Sequence, residues 1–281
     1  MKITRLDLDG AGSPRRLAQR IHEIEGLPSA IPIEALCEAL DIQSVHEVET
    51  NAFEAALITD ELRSAGHILI NQRSPRRRKR FSIAHELGHF LIEAHQPPED
   101  GRIECTLGNL HMLDPRARDR RRRMEGEANL FAAELLMPPK KIRTIIGRSG
   151  VSLQSLVTMT QEFDVSKEAL ARAFVSAHRE PVALVLSRNN RVERIYRHDD
   201  FPYLPIASGK PLPIDAFATE APPPGEISEA EEADPETWIS ERDIERTLFL
   251  TEQVIGQRAG YAMTLLQAEL DDENKPLTLV P

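Results

Sequence analysis

Sulfur and aromatic carbon are scarce in this chain. Of 281 residues two are cysteine, Cys37 and Cys105, and one is tryptophan; aromatics make up 5%. Two thiols so far apart form neither a disulfide framework nor a thiolate-built zinc site, and a reducing compartment is their natural setting. Long apolar runs are missing too. No stretch reaches the roughly 20 apolar residues that a membrane helix needs, and the opening MKITRLDLDGAGSPRR lacks the apolar core of a secretory signal. The expectation is a cytoplasmic protein with no membrane partner. Net positive charge is also absent. A formal charge of −10 argues against a general affinity for nucleic acid, which rests on neutralising phosphates.

The charge that is present comes in blocks. RRRKR at 76–80 and RARDRRRR at 116–123 are basic, and EISEAEEADPE at 226–236 is acidic. Such blocks are ordinarily solvated faces or loops; the alternatives are an anionic partner or a charge clamp within the chain. With 41% hydrophobic residues the chain can build a real core, and its length allows one large domain or two to three small ones.

Periodicity places the elements. Leu17–Ile24 and Ile33–Leu40 have helical spacing, and HILIN at 67–71 has the make-up of a buried strand. RFSIAHELGHFLIEAH, from Arg80, carries apolar residues at Phe81, Ala84, Leu87, Gly88 and Leu91, which is a helical stripe. An irregular stretch is expected from Gln96 to Arg123. A helix over Met124–Leu136 follows, stopped by Met137-Pro138-Pro139. Two shorter helices, SLQSLVTMTQEF and SKEALARAFVSAH, are joined by Asp164-Val165 with Ser166 as N-cap. From Pro181 the pattern turns to strands: VALVLSR and RVERIYR flank Asn189-Asn190, a hairpin turn, and GYAMTLLQAEL near the end supplies another strand. Phe217–Glu236 reads as an exposed loop. The expected organisation is therefore α+β in three parts: residues 1–147, a helical segment at 148–180, and a C-terminal α+β region at 181–281.

The chemistry concentrates in His85-Glu86-Leu87-Gly88-His89. Residues four apart on a helix share a face, about 6 Å apart, so two imidazoles can bind one Zn²⁺ at about 2.0–2.1 Å. Glu86 projects from the adjacent turn, within reach of a water that zinc acidifies. It would take that proton and return it to the leaving amine. A catalytic zinc takes a third protein ligand and keeps one position open. His95 is six residues past His89, on the opposite side of a continuous helix, and is expected to be exposed or capping; His111 lies in the charged loop. A carboxylate is thus expected from the Met124–Leu136 helix, which offers Glu125, Glu127 and Glu134. Glu125 lies nearest the apolar stripe of Met124, Ala128, Phe131, Ala132 and Leu135.

Three segments in order, ILIN (68–71), RFSIAHELGHFLI (80–92) and EGEANLFAAELLMP (125–138), resemble the ImmA/IrrE family of zinc metallopeptidases over roughly residues 15–175. The resemblance implies a zincin-like, mainly helical peptidase domain with a small sheet, Zn²⁺ on His85, His89 and Glu125, and Glu86 as catalytic base. Where the family often has Leu-Leu-His after the motif helix, this chain has Leu91-Ile92-Glu93-Ala94-His95. The resemblance also implies an intracellular setting in a stress or mobile-element response. The protein substrate would be a helix-turn-helix transcriptional repressor. It further implies a helix-turn-helix-like pair at 148–180 and a GAF-like, regulatory C-terminal domain. The competing reading is a DNA-binding regulator with a structural zinc site. The helix pair and the arginine runs support it; the thin supply of Lys167, Arg172 and Arg179 opposes it.

Overall fold

The computed structural model describes residues 1–98, 101–106, 118–177 and 179–271; His111 and Arg116 lie outside them. The chain divides into two compact units, residues 1–141 with 160–169, and residues 142–159 with 170–281. Among the described residues no helix is long and apolar enough to cross a membrane.

The first unit opens with helix α1 (Pro14–Glu25). Ser13 starts it by accepting from Arg16 N–H at 3.2 Å, and Gly26 ends it in the left-handed region at φ 58°. Helix α2 (Ile33–Ala39) precedes strands β1 (Ile42–Val48), β2 (Ala55–Thr59) and β3 (Gly66–Asn71). After helix α3 (Arg76–Leu91) come β4 (Arg102–Cys105) and helix α4 (Arg120–Leu136). The sheet order is β1-β3-β2-β4. β1 runs parallel to β3, and β2 is antiparallel to both β3 and β4. β3 falls where the sequence places a strand. β1, β2 and β4 were not legible, and β4 interrupts a stretch expected to be irregular, because its pairing with β2 is non-local.

The basic blocks are helical over residues 76–80 and 120–123. Asp119 accepts from Arg122 N–H at 2.8 Å and so starts α4 four residues before Met124. Arg76, Arg77 and Arg80 lie on α3, not on a solvated loop, and converge on Asp164. Arg76 grips its carboxylate with two nitrogens, while Nε of Arg80 and of Arg77 stand 3.2 and 3.4 Å away. The charge clamp within the chain is therefore real for this block. These three cations hold the Asp164 carboxyl below its ordinary value against the opposing effect of burial.

Helix α5 (Pro139–Ser149) follows the proline stop, and α6 (Leu153–Glu162) and α7 (Lys167–Ala177) form the expected helix pair. Ser166 Oγ accepts from Ala169 N–H at 3.1 Å, the N-cap its sequence position suggested. The second unit carries β5 (Val182–Arg188), β6 (Arg191–Arg197), β7 (Glu231–Glu232), helices α8 (Pro235–Trp238) and α9 (Glu241–Ile244), β8 (Thr247–Gly256) and β9 (Tyr261–Leu270). These strands form an antiparallel sheet in the order β6-β5-β9-β8-β7. Asn189 and Asn190 both take positive φ, 49° and 57°, as a two-residue hairpin turn requires. The Phe217–Glu236 stretch is largely exposed, as expected, but Ala218 and Ala233 in it are buried and Glu231–Glu232 pair with β8. Below them Glu252 is buried and accepts from Trp238 Nε1–H at 2.7 Å and Ala218 N–H at 2.8 Å.

Asp164→Ala is expected to destabilise the first unit by about 1–3 kcal/mol, since it strands the largely buried Arg80 and puts a β-carbon without a polar side chain at φ 55°. Asp164→Asn, which tolerates that φ, should cost less. The depressed carboxyl stabilises the fold above its unfolded value and loses that effect as pH falls through its folded value. The gap between wild type and variant in urea denaturation should therefore narrow in strong acid to the pH-independent backbone cost; equal stability at pH 7 would refute the clamp.

Candidate metal centre

Helix α3 is buried on every side from Ser82 to Phe90, not along one stripe, because it packs against α4, α2, β2 and β3. A helix apolar on one stripe only would have left its polar face in water. Here His85, Glu86 and His89 have no access to solvent. The helix ends at Leu91 because Ile92 turns extended, at ψ 111°. Arg63 fixes this end: its guanidinium donates to the carbonyls of Phe90 (3.3 Å), Ile92 (2.8 Å) and Glu93 (2.9 Å). The chain then doubles back and buries His95 against His89. The expectation of an exposed or capping His95 is thus corrected; it assumed a helix continuing past Ile92.

The two imidazoles are oriented from behind. Asn129 Oδ1, on α4, lies 2.9 Å from His85 Nδ1; an amide oxygen only accepts, so His85 carries its proton on Nδ1. On the other side Glu127 Oε2 lies 2.9 Å from His95 Nε2, and His95 Nδ1 lies 3.0 Å from His89 Nδ1. The carboxylate end of that chain accepts from His95 Nε2–H, which leaves His95 Nδ1 to accept from His89 Nδ1–H. Burial pushes the His95 imidazolium down to about 2, so a neutral relay fits. Both Nε2 lone pairs consequently face one point. They stand 3.1 Å apart, and Glu125 Oε2 stands 3.3 Å from the first and 3.7 Å from the second.

Three such donors facing one point can hold a cation. Four ligands at about 2.0 Å in a tetrahedron are about 3.3 Å from one another, so the spacing of His85, His89 and Glu125 fits a tetrahedral divalent ion. Glu125 Oε2 and both oxygens of Glu86 are buried without a hydrogen bond of ordinary geometry, a costly arrangement unless charge compensates it. Burial raises the Glu86 carboxyl to about 7, with His85 and the Cys105 thiol opposing the rise. Burial would likewise raise Glu125, but the two imidazoles outweigh it and hold that group ionised.

The structure therefore brings His85, His89, Glu125 and Glu86 together. Glu127 serves one step behind the ligands, and Glu134 lies apart, 2.9 Å from Arg15. Sequence reasoning missed Asn129, the relay through His95, and Cys105, whose ligand atom completes a buried group of four with His85, His89 and Glu125, all within 4.8 Å of one another. The spacing of Glu125 and Asn129, four apart on one helix face, was a usable signal for Asn129. No local signal marked Cys105.

Residues 37–174 match the family model of the IrrE N-terminal-like domain, peptidase M78. The radiation response metalloprotease IrrE of Deinococcus deserti is 30% identical over 134 residues, which are 45% of this chain and 42% of that protein. The match thus spans about two fifths of the curated relative's length. A solved Mycobacterium tuberculosis transcriptional regulator shares the fold, with a TM-score of 0.51 and 14% identity over 93% of this chain and 79% of that one.

Glu125→Ala should weaken metal binding by about 100-fold or more through loss of a ligand and its charge. Asn129→Ala and His95→Ala should weaken it by about 10–100-fold through loss of ligand orientation, and Glu134→Ala should leave it unchanged. Competition against a fluorescent chelator measures all four; equal affinities for the Glu125 and Glu134 variants would reject the ligand set.

Proposed function

We propose, from the IrrE N-terminal-like (peptidase M78) domain that residues 37–174 form, that this chain is a zinc-dependent endopeptidase of the cytoplasm. The observation that carries this reading is the convergence of two imidazole lone pairs and a carboxylate beside Glu86, a second, fully buried carboxylate. Purely structural zinc has no use for that extra group. Zinc bound there supplies Lewis acidity, polarising a peptide carbonyl and acidifying water.

The chain's own residues do the rest. Glu86 takes the proton of the attacking water on a carboxylate oxygen and delivers it to the departing amine nitrogen. Its raised proton affinity suits both transfers, since a group poised near neutrality accepts and releases a proton with similar ease. Asn129 and the His95–Glu127 relay keep the two imidazoles in the tautomer that presents Nε2. Burial by α4 and the sheet excludes bulk water and strengthens each of these interactions.

The substrate we assign is a helix-turn-helix repressor, in a stress or mobile-element response. Support comes from the family resemblance, from a relative named for the radiation response, and from likeness to a protein described as a transcriptional regulator. On this reading residues 1–147 are the peptidase part, 148–180 a helix-turn-helix-like segment, and 181–281 a GAF-like region that directs proteolysis. The second reading, a DNA-binding regulator with a structural zinc, draws on the α6–α7 pair and predicts DNA affinity that falls steeply with salt.

Glu86→Gln keeps the shape of the side chain but cannot accept the proton. It should retain one equivalent of zinc by elemental analysis and cleave repressors encoded beside its gene at least 10²–10⁴-fold more slowly. A variant as active as wild type would end this mechanism.

A further inference from the structure

The three proposed ligands leave one tetrahedral position, and a side chain of this chain already stands beside it. Cys105 ends β4, the edge strand of the first sheet. Its pairing is held at both ends by main-chain bonds, Glu54 N–H to Cys105 C=O at 2.8 Å and Thr59 N–H to Gly101 C=O at 2.9 Å. Along the strand, Arg102 and Glu104 are exposed and Ile103 is half-buried; Cys105 alone is fully buried. Main-chain pairing with β2 over Arg102–Cys105 holds the strand, and Cys105 is the side chain it buries. That thiol faces the Glu86 carboxylate and lies within the same buried group of ligand atoms as His85, His89 and Glu125. A lone buried cysteine would mean little. Here the Glu125 carboxylate is aimed into the same group, its buried Oε2 without a hydrogen bond of ordinary geometry and 3.3 and 3.7 Å from the two imidazole Nε2 atoms, an arrangement that a cation would satisfy.

We propose that Cys105 is the fourth ligand of this centre and holds the peptidase latent by filling the position that the attacking water needs. The inference rests on the metallopeptidase reading and adds a resting state to it. A zinc site with four protein ligands is closed, whereas a catalytic one keeps a position for water. A thiol that binds the metal would give up its proton, which would leave to solvent. On opening the sulfur–metal bond breaks, a water takes the position, and the sulfur regains a proton from solvent; no electrons are transferred. Cys105 is the only fully buried side chain of β4, so lifting the strand from β2 would free the sulfur. Lifting β4 would also bare the edge of β2, a row of main-chain donors and acceptors beside Glu86 that suits an extended peptide.

The test uses the full-length protein loaded with cobalt(II), whose ligand field reports sulfur directly. Wild type should show an intense near-ultraviolet thiolate-to-cobalt charge-transfer band. Cys105→Ser and Cys105→Ala should bind one cobalt without that band, while Cys37→Ser, whose thiol lies on α2 outside the cluster, should keep it. Acetohydroxamate, a bidentate probe that needs an open position and no knowledge of the substrate, should bind the cobalt form of Cys105→Ala at least tenfold more tightly than wild type. Full cobalt occupancy in wild type without the band would overturn the ligand assignment and leave the His85, His89 and Glu125 site standing. The band with equal hydroxamate affinity in wild type and Cys105→Ala would overturn the latency. Failure of wild type to take up cobalt at all would remove the metal site and this inference with it. The wild-type spectrum decides the ligand question even if a variant does not fold.

Discussion

The close approach of α3 and α4 at Gly88 is the constraint on which the centre depends. A β-carbon placed there would stand 2.9 Å from the Phe131 ring and 3.4 Å from the Ala128 Cα, so only glycine lets the two helices meet at this distance. Ala128, Phe131 and Ala132 pack into the gap, and their burial is the apolar force that keeps the helices together. One turn away along α4 the same approach delivers Glu125 to 3.3 Å from His85 Nε2 and Asn129 to 2.9 Å from His85 Nδ1. A helix pair one methyl group further apart would lose both contacts together. Glycine is a poor helix residue, by about 1 kcal/mol relative to alanine. Its presence in the middle of α3 makes sense as the cost of bringing two polar faces into register.

Burial of the polar faces then dictates how they are supported. In water each imidazole could rotate and change tautomer freely. Inside α3 both are held by a directional chain that ends on an acceptor, an amide oxygen for His85 and the Glu127 carboxylate for His89 through His95. The second chain is longer because α3 ends early, and Arg63 governs that ending by binding three carbonyls. A residue on the loop between β2 and β3 thus decides where His95 lies, and through it the direction of the His89 lone pair. Such a path works by packing and hydrogen bonding alone, with each group committed to one partner.

Those contacts also explain which parts of the molecule the sequence discloses. The motif helix, the Glu125 helix, the α6–α7 pair and the Asn189-Asn190 hairpin are written locally, in apolar spacing, caps and turn residues, and each lies close to its expected place. The position of His95 is not written that way. Helical periodicity extrapolates through Ile92, and only the tertiary capping by Arg63 stops it. Strands β1, β2 and β4 are short and find their identity in their partners, so their alternation is weak evidence without the sheet. Cys105 suffers twice, since it sits on such a strand and since a single thiol carries no spacing pattern. The arginines at 76–80 read as a solvated run because their common partner, Asp164, is far away in sequence and adopts a turn conformation that composition does not reveal.

Charge explains why a closed centre would be the resting one. Two neutral imidazoles contribute nothing to balancing a divalent cation, and Glu125 supplies one negative charge. In a site where His85, His89 and Cys105 have no solvent access, the remaining positive charge would be costly to leave unbalanced. A Cys105 thiolate cancels it, and the neutral closed centre suits its dry surroundings. Once water replaces the sulfur, the ligands again leave one positive charge, and the Glu86 carboxylate beside it becomes the nearest compensating group. On the proposal made above, the exchange that admits the nucleophile would also favour Glu86 in its ionised, proton-accepting form. Closed and open centres would then differ by one thiolate, and that difference would set both the access of water and the readiness of the base.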